Sequence, residues 1–237
     1  MSAADRRALV ADGDHPAVAP DLARFDQTER IVHWVTAVLG LTLIATGAAL
    51  YAGPISTLVG RRDLVRTVHV LAGLVLPIPV LLGLLLPRRG LAFRADVREL
   101  DRFDADDRRW LRPRTHAQAR SAKFNAGQKV NAAFLAAAGI VLFGTGIVLR
   151  WNHFFAIDIR TGATFVHDWF AIGVAIAVTG HIMFALRDPE ARGGMLRGRV
   201  PARWARHTHP RWYERETGLP ADRLAPTKGS DRATPPR

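Results

Sequence analysis

The sequence predicts an all-α membrane protein, a bundle of four transmembrane helices. Four apolar blocks of about 20 residues stand out between segments rich in arginine. They cover roughly residues 31–52, 68–86, 130–150 and 165–186. A block of this length crosses a hydrocarbon core about 30 Å thick, whereas a soluble core uses shorter periodic runs. Transmembrane strands are not expected, because an open sheet edge cannot be left in lipid.

Each span has recognisable limits. The first begins near RFDQTERIVHW and ends near Tyr51. The second begins near RTVHVLAG and contains Pro77 and Pro79, which predict a kink. A charged loop, residues 87–129, follows and has room for a short surface helix. The third span follows KFNAGQK, and the fourth ends at Arg187.

Composition divides the chain into four expected regions. Residues 1–23 are expected to form a flexible tail, and residues 24–187 the membrane domain. Residues 188–217 mix Trp, Tyr and Arg, as a cytoplasmic segment at a headgroup interface does. Residues 218–237 are rich in Pro and charge and are expected to be disordered. We see no internal repeat.

The net charge of +12 is distributed as a topology signal. Residues 87–129 contain twelve Lys and Arg, residues 53–66 three and residues 151–164 one. This asymmetry predicts that both termini and the long loop are cytoplasmic, in a multi-pass protein of the bacterial cell membrane. The basic runs therefore indicate contact with anionic lipid and not with nucleic acid. No secretory signal peptide is expected, because the first 30 residues are polar and charged.

Histidine is the residue type with most chemical potential in this sequence. Nine occur, and four of them fall within or at the predicted spans: His33, His69, His167 and His181. Ionisable residues inside a bilayer are costly and are candidates for function, although one alone could be a structural histidine bonded to a neighbouring helix. The other five are expected at the surface: His15, His116, His207 and His209 in polar segments, and His153 at the interface.

The predicted topology places the four membrane histidines at two depths. His33 near the start of the first span and His181 near the end of the fourth lie toward the cytoplasm. His69 and His167, near the starts of their spans, lie toward the outside. The fourteen residues between His167 and His181 make almost four helical turns and about 21 Å. The two therefore share one face, and two stacked sites are expected.

Two imidazoles from different helices, with no carboxylate or thiolate nearby, complete few metal sites. Zinc takes three or four protein ligands. A haem already supplies four nitrogens, so two axial histidines give six-coordinate iron that suits electron transfer. The chain has no cysteine, which excludes c-type haem attachment by this chain. Glycines in the spans would leave room for a macrocycle or, alternatively, allow close helix packing: Gly47, Gly73, Gly139, Gly144, Gly146, Gly173 and Gly180.

Several motifs together resemble one family. ERIVHW opens the first span, VH lies early in the second, KFNAGQK precedes the third, and HD, GH and ALRDPE follow along the fourth. With the tail GMLRGRVPARWARHTHPRWYERE, they resemble the gamma subunit of membrane-bound respiratory formate dehydrogenase. That subunit is a b-type cytochrome with two haems, related to hydrogenase cytochromes b and the bacterial cytochrome b561 group. The resemblance covers roughly residues 24–216, and KFNAGQK and the tail are its more specific parts.

The resemblance implies a path for electrons. His69 and His167 would hold an outer haem b, and His33 and His181 an inner one. An iron–sulfur (beta) subunit and a molybdenum or tungsten catalytic (alpha) subunit would lie outside. Electrons would pass from the iron–sulfur subunit through both haems to a quinone, either menaquinone or ubiquinone, near the inner haem.

The resemblance also implies where the quinone binds. The segment before the third span points to Asn125, Gly127 and Gln128, with Lys123 and Lys129 nearby. Asn and Gln amides can donate to the quinone carbonyls, and glycine lets the backbone approach closely. The alternative is that Asn125 only caps the third helix while the lysines anchor it in headgroups.

Other functions stay open at this point. The donor could be a hydrogenase or another molybdoenzyme, or the chain could act alone as a b561-like electron carrier. A small histidine-containing transporter or proton channel is a different class, but its histidines would follow a continuous path and not cluster at two depths. The chain has no cysteine and no pterin-binding domain, so formate oxidation is expected in another subunit. This chain would carry no catalytic residues, only the quinone-reducing site.

Overall fold

A computed structural model of the chain describes residues 21–54 and 60–221. In chain order the described elements are β1 (Leu22–Ala23), α1 (Gln27–Tyr51), α2 (Arg62–Val75), α3 (Pro77–Leu85), α4 (Leu91–Leu100), α5 (Ala105–Leu111), α6 (Ala126–Arg150), α7 (Ile157–Arg187), α8 (Pro189–Arg197), β2 (Arg199–Val200), α9 (Ala202–Thr208) and α10 (Pro210–Thr217). Single 3₁₀ turns lie at His116–Gln118 and Asn152–Phe154.

The described residues contain four segments that are long and apolar enough to cross a membrane: Gln27–Tyr51, Arg62–Leu85, Ala126–Arg150 and Ile157–Arg187. Their outward side chains are exposed in the isolated chain, as lipid contact requires; Ile140 is 75% and Phe184 72% exposed. Helix α1 packs against α2 and α3, α6 packs along α7, and α2 contacts α6. The predicted all-α membrane fold with four spanning helices is confirmed.

All four spanning helices begin before the apolar blocks that predict them. Asp26 and Glu29 form a capping box at the start of α1, and Asn125 and Gln128 form another at the start of α6. Each box satisfies backbone N–H groups that would otherwise lack partners. Helix α7 begins at Ile157 and not near Phe165. The apolar run marks the lipid-facing length, whereas the helical backbone extends beyond it; in α1 and α6 the capping residues mark where it begins.

The second span is interrupted where its prolines predict. Helix α2 ends at Val75, and α3 begins at Pro77. Between them Leu76 keeps helical backbone angles and donates its N–H to the Ala72 carbonyl at 2.9 Å. A proline at the first helical position costs little, because its missing N–H would have no partner there. The span therefore continues beyond the break.

The two ends of the described chain meet at one end of the bundle. Strand β1 pairs antiparallel with β2, with Leu22 opposite Val200. We call this end, where α1 and α6 begin and α7 ends, the terminal end. The connection between α6 and α7, residues 151–156, lies at the opposite end, which we call the loop end.

The segment after α7 folds onto the terminal end. Trp204, Trp212 and Tyr213 are buried in its core, together with Val200. The composition of residues 188–217 suggested contact with lipid headgroups. The two tryptophans are buried and are not available for such contact. The expectation that His209 is solvated is wrong, because its side chain is 1% exposed.

The remaining expectations for the polar segments are met unevenly. The loop between the second and third spans holds two α-helices, α4 and α5, and not one short helix. The described strands are two residues each and lie outside the spans. Most of the predicted flexible N-terminal tail, residues 1–20, and most of the predicted disordered end, residues 222–237, lie outside the described residues.

Candidate functional site

The structure brings His33 and His181 together near the terminal end. His33 lies early in α1 and His181 late in α7, so the antiparallel course of the two helices puts them at the same level. Their ring centroids are 6.1 Å apart, and the ring planes are at 63°. Trp34 stands edge-on to His33, with centroids 5.3 Å apart.

The structure also brings His69 and His167 together, nearer the loop end. His69 lies in the middle of α2, and His167 in the first half of α7. Their ring centroids are 6.3 Å apart, again with planes at 63°. Since α7 carries one histidine of each pair, the two pairs are stacked about 21 Å apart along that helix.

Both separations fit one metal ion held between two imidazoles. A metal–nitrogen bond of about 2 Å and a ring radius of about 1.1 Å, from C–N bonds of about 1.33 Å, place each ring centroid about 3.1 Å from the metal. Two imidazoles on opposite sides of one metal therefore have centroids about 6.2 Å apart. The described residues contain no group of three or more His, Cys, Asp or Glu that could hold a metal ion. A haem would supply four further nitrogens to a metal held by two imidazoles.

A threonine contacts each imidazole of the pair nearer the loop end. Thr46 Oγ1 lies 2.8 Å from His69 Nδ1, and Thr145 Oγ1 lies 2.9 Å from His167 Nδ1. Both hydroxyls also donate to the carbonyl four residues earlier in their own helix, at 2.6 and 2.8 Å. The threonines thus bridge a spanning helix to the histidine of its neighbour.

A glycine follows each of these threonines. A Cβ at Gly47 would lie 3.4 Å from His69 Cε1, and one at Gly146 would lie 3.6 Å from His167 Cε1. Each imidazole therefore lies beside a glycine, at van der Waals distance from the position that a Cβ would take. The sequence expectation named both glycines but missed Thr46 and Thr145. The signal that could have found them is a short repeat, TG in the first and third spans with a histidine in the following span.

The residues predicted for the quinone lie at the start of α6. Asn125 Oδ1 accepts from the Gln128 N–H, and Gln128 Oε1 accepts from the Asn125 N–H, both at 2.9 Å. The capping box uses the two side-chain oxygens and leaves both NH₂ groups outside it. A Cβ at Gly127 would lie 2.7 Å from Trp110 Cη2, so packing against α5 by itself requires glycine there.

Residues 24–198 match the family model described as prokaryotic cytochrome b561. The chain belongs to this family. It is therefore a b-type haem cytochrome, and its four apolar helices make it a multi-pass membrane protein.

Several proteins similar to this cytochrome are named as cytochrome b556 subunits of formate dehydrogenase. It is 27% identical over 194 residues to the formate dehydrogenase cytochrome b556 subunit of Haemophilus influenzae, covering 79% of this chain and 80% of that one. It is 25% identical over 204 residues to the cytochrome b556(fdo) subunit of formate dehydrogenase of Escherichia coli K12, covering 81% and 92%. A nitrate-inducible formate dehydrogenase cytochrome b556(Fdn) subunit of the same organism is 31% identical over 107 residues, covering 44% and 49%.

Two buried ion clusters support the terminal end of the cytochrome. Lys123 Nζ lies 2.6 and 2.7 Å from the Asp96 carboxylate oxygens and 3.3 Å from Glu29 Oε1. Lys129 Nζ lies 2.6 Å from Asp107 Oδ2. Both lysines are buried in these pairs, so they do not anchor the helix in headgroups. Burial raises the pKa of Asp96 to about 8, and the hydrogen bond with Glu29 adds to this.

A buried arginine joins the first described residues to the C-terminal segment. The Arg24 guanidinium lies over the rings of Trp204, at 4.6 Å, and Trp212, at 5.7 Å, and donates to His209 Nε2 at 3.3 Å. The His209 Nδ1–H donates to the Ala122 carbonyl at 2.7 Å. Burial lowers the pKa of His209 to about 3, and the charge of Arg24 adds to this.

Proposed function

We propose that this cytochrome is the membrane subunit of a formate dehydrogenase complex and passes electrons through two haems b to a quinone. The observation that carries the proposal is the presence of two histidine pairs at two levels, with ring centroids 6.1 and 6.3 Å apart. Relatives named as formate dehydrogenase cytochrome b556 subunits, which align over most of the chain, support the identity of the electron donor.

In this proposal each pair would hold one haem. His33 and His181 hold the inner haem, and His69 and His167 hold the outer haem. Haem supplies reversible one-electron chemistry when bound. The chain's part is to bind the iron on both faces, so that no position stays open for oxygen or substrate.

Charge supports a cytoplasmic terminal end. Residues 87–129, with their twelve Lys and Arg, connect the second and third spans at this end. Because β1 pairs with β2, the first and last described residues lie on that same side. The outer haem then lies toward the partner side, where an iron–sulfur subunit and a molybdenum or tungsten catalytic subunit bind.

The quinone, menaquinone or ubiquinone, binds near the start of α6 in this proposal. The side-chain NH₂ groups of Asn125 and Gln128 are left outside the capping box, and each can donate to a quinone carbonyl oxygen. The proposed site also includes Gly127, which lies between these two residues in the sequence and packs against Trp110 of α5. The cytoplasmic side would supply the protons that quinone reduction consumes.

The test uses the intact complex purified from the membrane with its partner subunits. We expect two haems for each copy of this chain, counted by pyridine haemochrome, and reduction of both by formate in a reduced-minus-oxidised spectrum. A chain with a single haem, or with none, would contradict the paired-histidine sites. Reduction by hydrogen and not by formate would instead identify the hydrogenase alternative.

A further inference from the structure

We infer that Thr46 and Thr145 are positioning residues for the outer haem: they fix the tautomer and ring orientation of His69 and His167 and lower the midpoint potential of that haem. The inference rests on the proposed function for the presence of the haem. It adds a role for two residues outside the four paired histidines.

The hydrogen bonds of the two hydroxyls determine the direction of each bond to histidine. A threonine hydroxyl has one proton to donate. In both residues that proton goes to the carbonyl four residues earlier, since the oxygens lie 2.6 and 2.8 Å from Thr42 O and Val141 O. The hydroxyl oxygen is then an acceptor for the imidazole. Nδ1 of each histidine therefore carries the hydrogen.

This direction assigns the other ring nitrogen to the metal. With Nδ1 protonated in a neutral imidazole, Nε2 keeps the free lone pair. Gly47 and Gly146 lie beside the rings, because an added Cβ would be 3.4 or 3.6 Å from Cε1, in ordinary van der Waals contact. The bond at Nδ1 limits the rotation of each imidazole. Each ring is thus fixed before the haem binds.

The same contact occurs in two independent helix pairs. Helix α1 presents Thr46 to His69 on α2, and helix α6 presents Thr145 to His167 on α7. The distances agree within 0.1 Å, at 2.8 and 2.9 Å. Because both ligands of one iron are held in the same way, the arrangement belongs to the site and not to one helix.

The bond at Nδ1 also changes the ligand electronically. An acceptor on the Nδ1–H raises the basicity of the ligating nitrogen, which stabilises ferric iron and lowers the potential. In the part of the chain that the structure describes, neither His33 nor His181 makes a hydrogen bond of this kind. The two bonds therefore lower the midpoint potential of the outer haem, in the direction that favours electron transfer from the outer haem to the inner.

The experiment removes the two hydroxyls without removing volume. Thr46→Val and Thr145→Val, singly and together, are made in the intact complex. Thr46→Ser and Thr145→Ser keep the hydroxyl and serve as the conservative variants. The matched controls are Thr42→Val in α1 and Thr164→Val in α7, because each of these hydroxyls bonds to its own helix backbone. The readouts are haem content, the two midpoint potentials from a redox titration, and the low-spin ferric EPR signals.

We expect the Val variants to keep both haems, to shift the outer midpoint upward and to change its EPR g-values, while the inner haem stays unchanged. A tenfold change in the ratio of reduced to oxidised haem, about 59 mV for one electron, is the upper end of the expected shift for the double variant. Serine restores the wild-type values, and both controls match wild type. Full haem content with both midpoints unchanged in the double Val variant would overturn the inference. A wild-type complex without two haems would contradict the proposed function instead.

Discussion

At the scale of residues, each histidine pair joins helices that are distant in the sequence. His33 and His181 come from the first and last spans, and His69 and His167 from the second and last. Helix α7 supplies one histidine to each pair, so its side chains decide whether either pair can form. A single substitution on α7 therefore separates the two sites.

His167→Ala tests this separation. The variant is expected to lose half of its haem, because His69 alone leaves one face of the outer iron without a ligand, while the pair of His33 and His181 stays intact. Haem per polypeptide and the redox titration measure the effect. His153→Ala is the control, because His153 is exposed and belongs to neither pair. Loss of all haem, or of none, would contradict two independent sites.

The residue types differ in how well the sequence reveals them. His69 and His167 stand out because an imidazole in an apolar run is costly and therefore rare. Thr46 does not, because threonine in a membrane helix commonly bonds its own backbone, and the contact to the next helix shows in the sequence only as the TG pair that Thr145 shares. His209 misleads for another reason. Its neighbours in the sequence are polar, but its ring packs near Trp204 and Trp212 and is bonded to Arg24, which comes from the opposite end of the chain.

At the scale of elements, the C-terminal segment is attached by an aromatic and arginine core. Arg24 lies between Trp204 and Trp212, and His209 closes the group from one side. His209 accepts a hydrogen bond at Nε2 from Arg24, so it has to stay neutral. A second proton would place two positive groups in contact in a buried position.

Acid is therefore expected to release this segment. The folded pKa of His209, about 3, lies below its ordinary value of 6.5, so the stability is present above about pH 6.5 and is lost as the pH falls toward 3. The loss is up to about 1.4 kcal/mol per pH unit. Hydrogen exchange of residues 199–217 at pH 7 and pH 5 measures it.

The control for this prediction uses two neutral substitutions. His209→Gln should exchange faster at pH 7 but lose the pH dependence, whereas His207→Gln should behave as wild type, because His207 is exposed. Asp96 has the opposite pH dependence. Its pKa is raised from 3.8 to about 8, so its contribution to the stability of the fold is present at low pH and is lost as the pH rises toward 8. Equal pH dependence in wild type and His209→Gln would exclude His209 as the cause.

The buried pair between α5 and α6 gives a second prediction at this scale. Lys129→Met leaves the carboxylate of Asp107, which is 6% exposed, without its cation, and should destabilise the chain by about 3–5 kcal/mol. Arg203→Ala breaks a pair with Glu190 in which the arginine is 83% exposed, and should cost about 0–1 kcal/mol. Thermal unfolding of both variants compares them. Equal midpoints would show that the buried pair contributes no more than the exposed one.

At the scale of the whole molecule, hydropathy and charge predict the spans and their order, because a bilayer requires long apolar helices with satisfied backbones. They do not predict the terminal end. That end depends on contacts across the full chain, such as Lys123 with Glu29 and Arg24 with Trp212. Composition cannot distinguish such a core from an interfacial segment, because both are rich in Trp and Arg.

Orientation is the prediction that belongs to this scale. Green fluorescent protein fused after Arg237 should fluoresce, and alkaline phosphatase at the same point should stay inactive, because the proposed topology places the terminal end in the cytoplasm. Alkaline phosphatase inserted in residues 151–156 should be active. The opposite pattern at both points would reverse the topology and place the inner haem outside.

The pairing of β1 with β2 sets an order for biosynthesis. The ribosome delivers Leu22 before any span, whereas its partner Val200 follows only after the last span has been made. The two strands can therefore pair only after all four spanning helices have been synthesised. A chain that ends before Trp204 would leave the Arg24 guanidinium without the two tryptophan rings that cover it, so an unfinished chain exposes a charge that the complete chain buries.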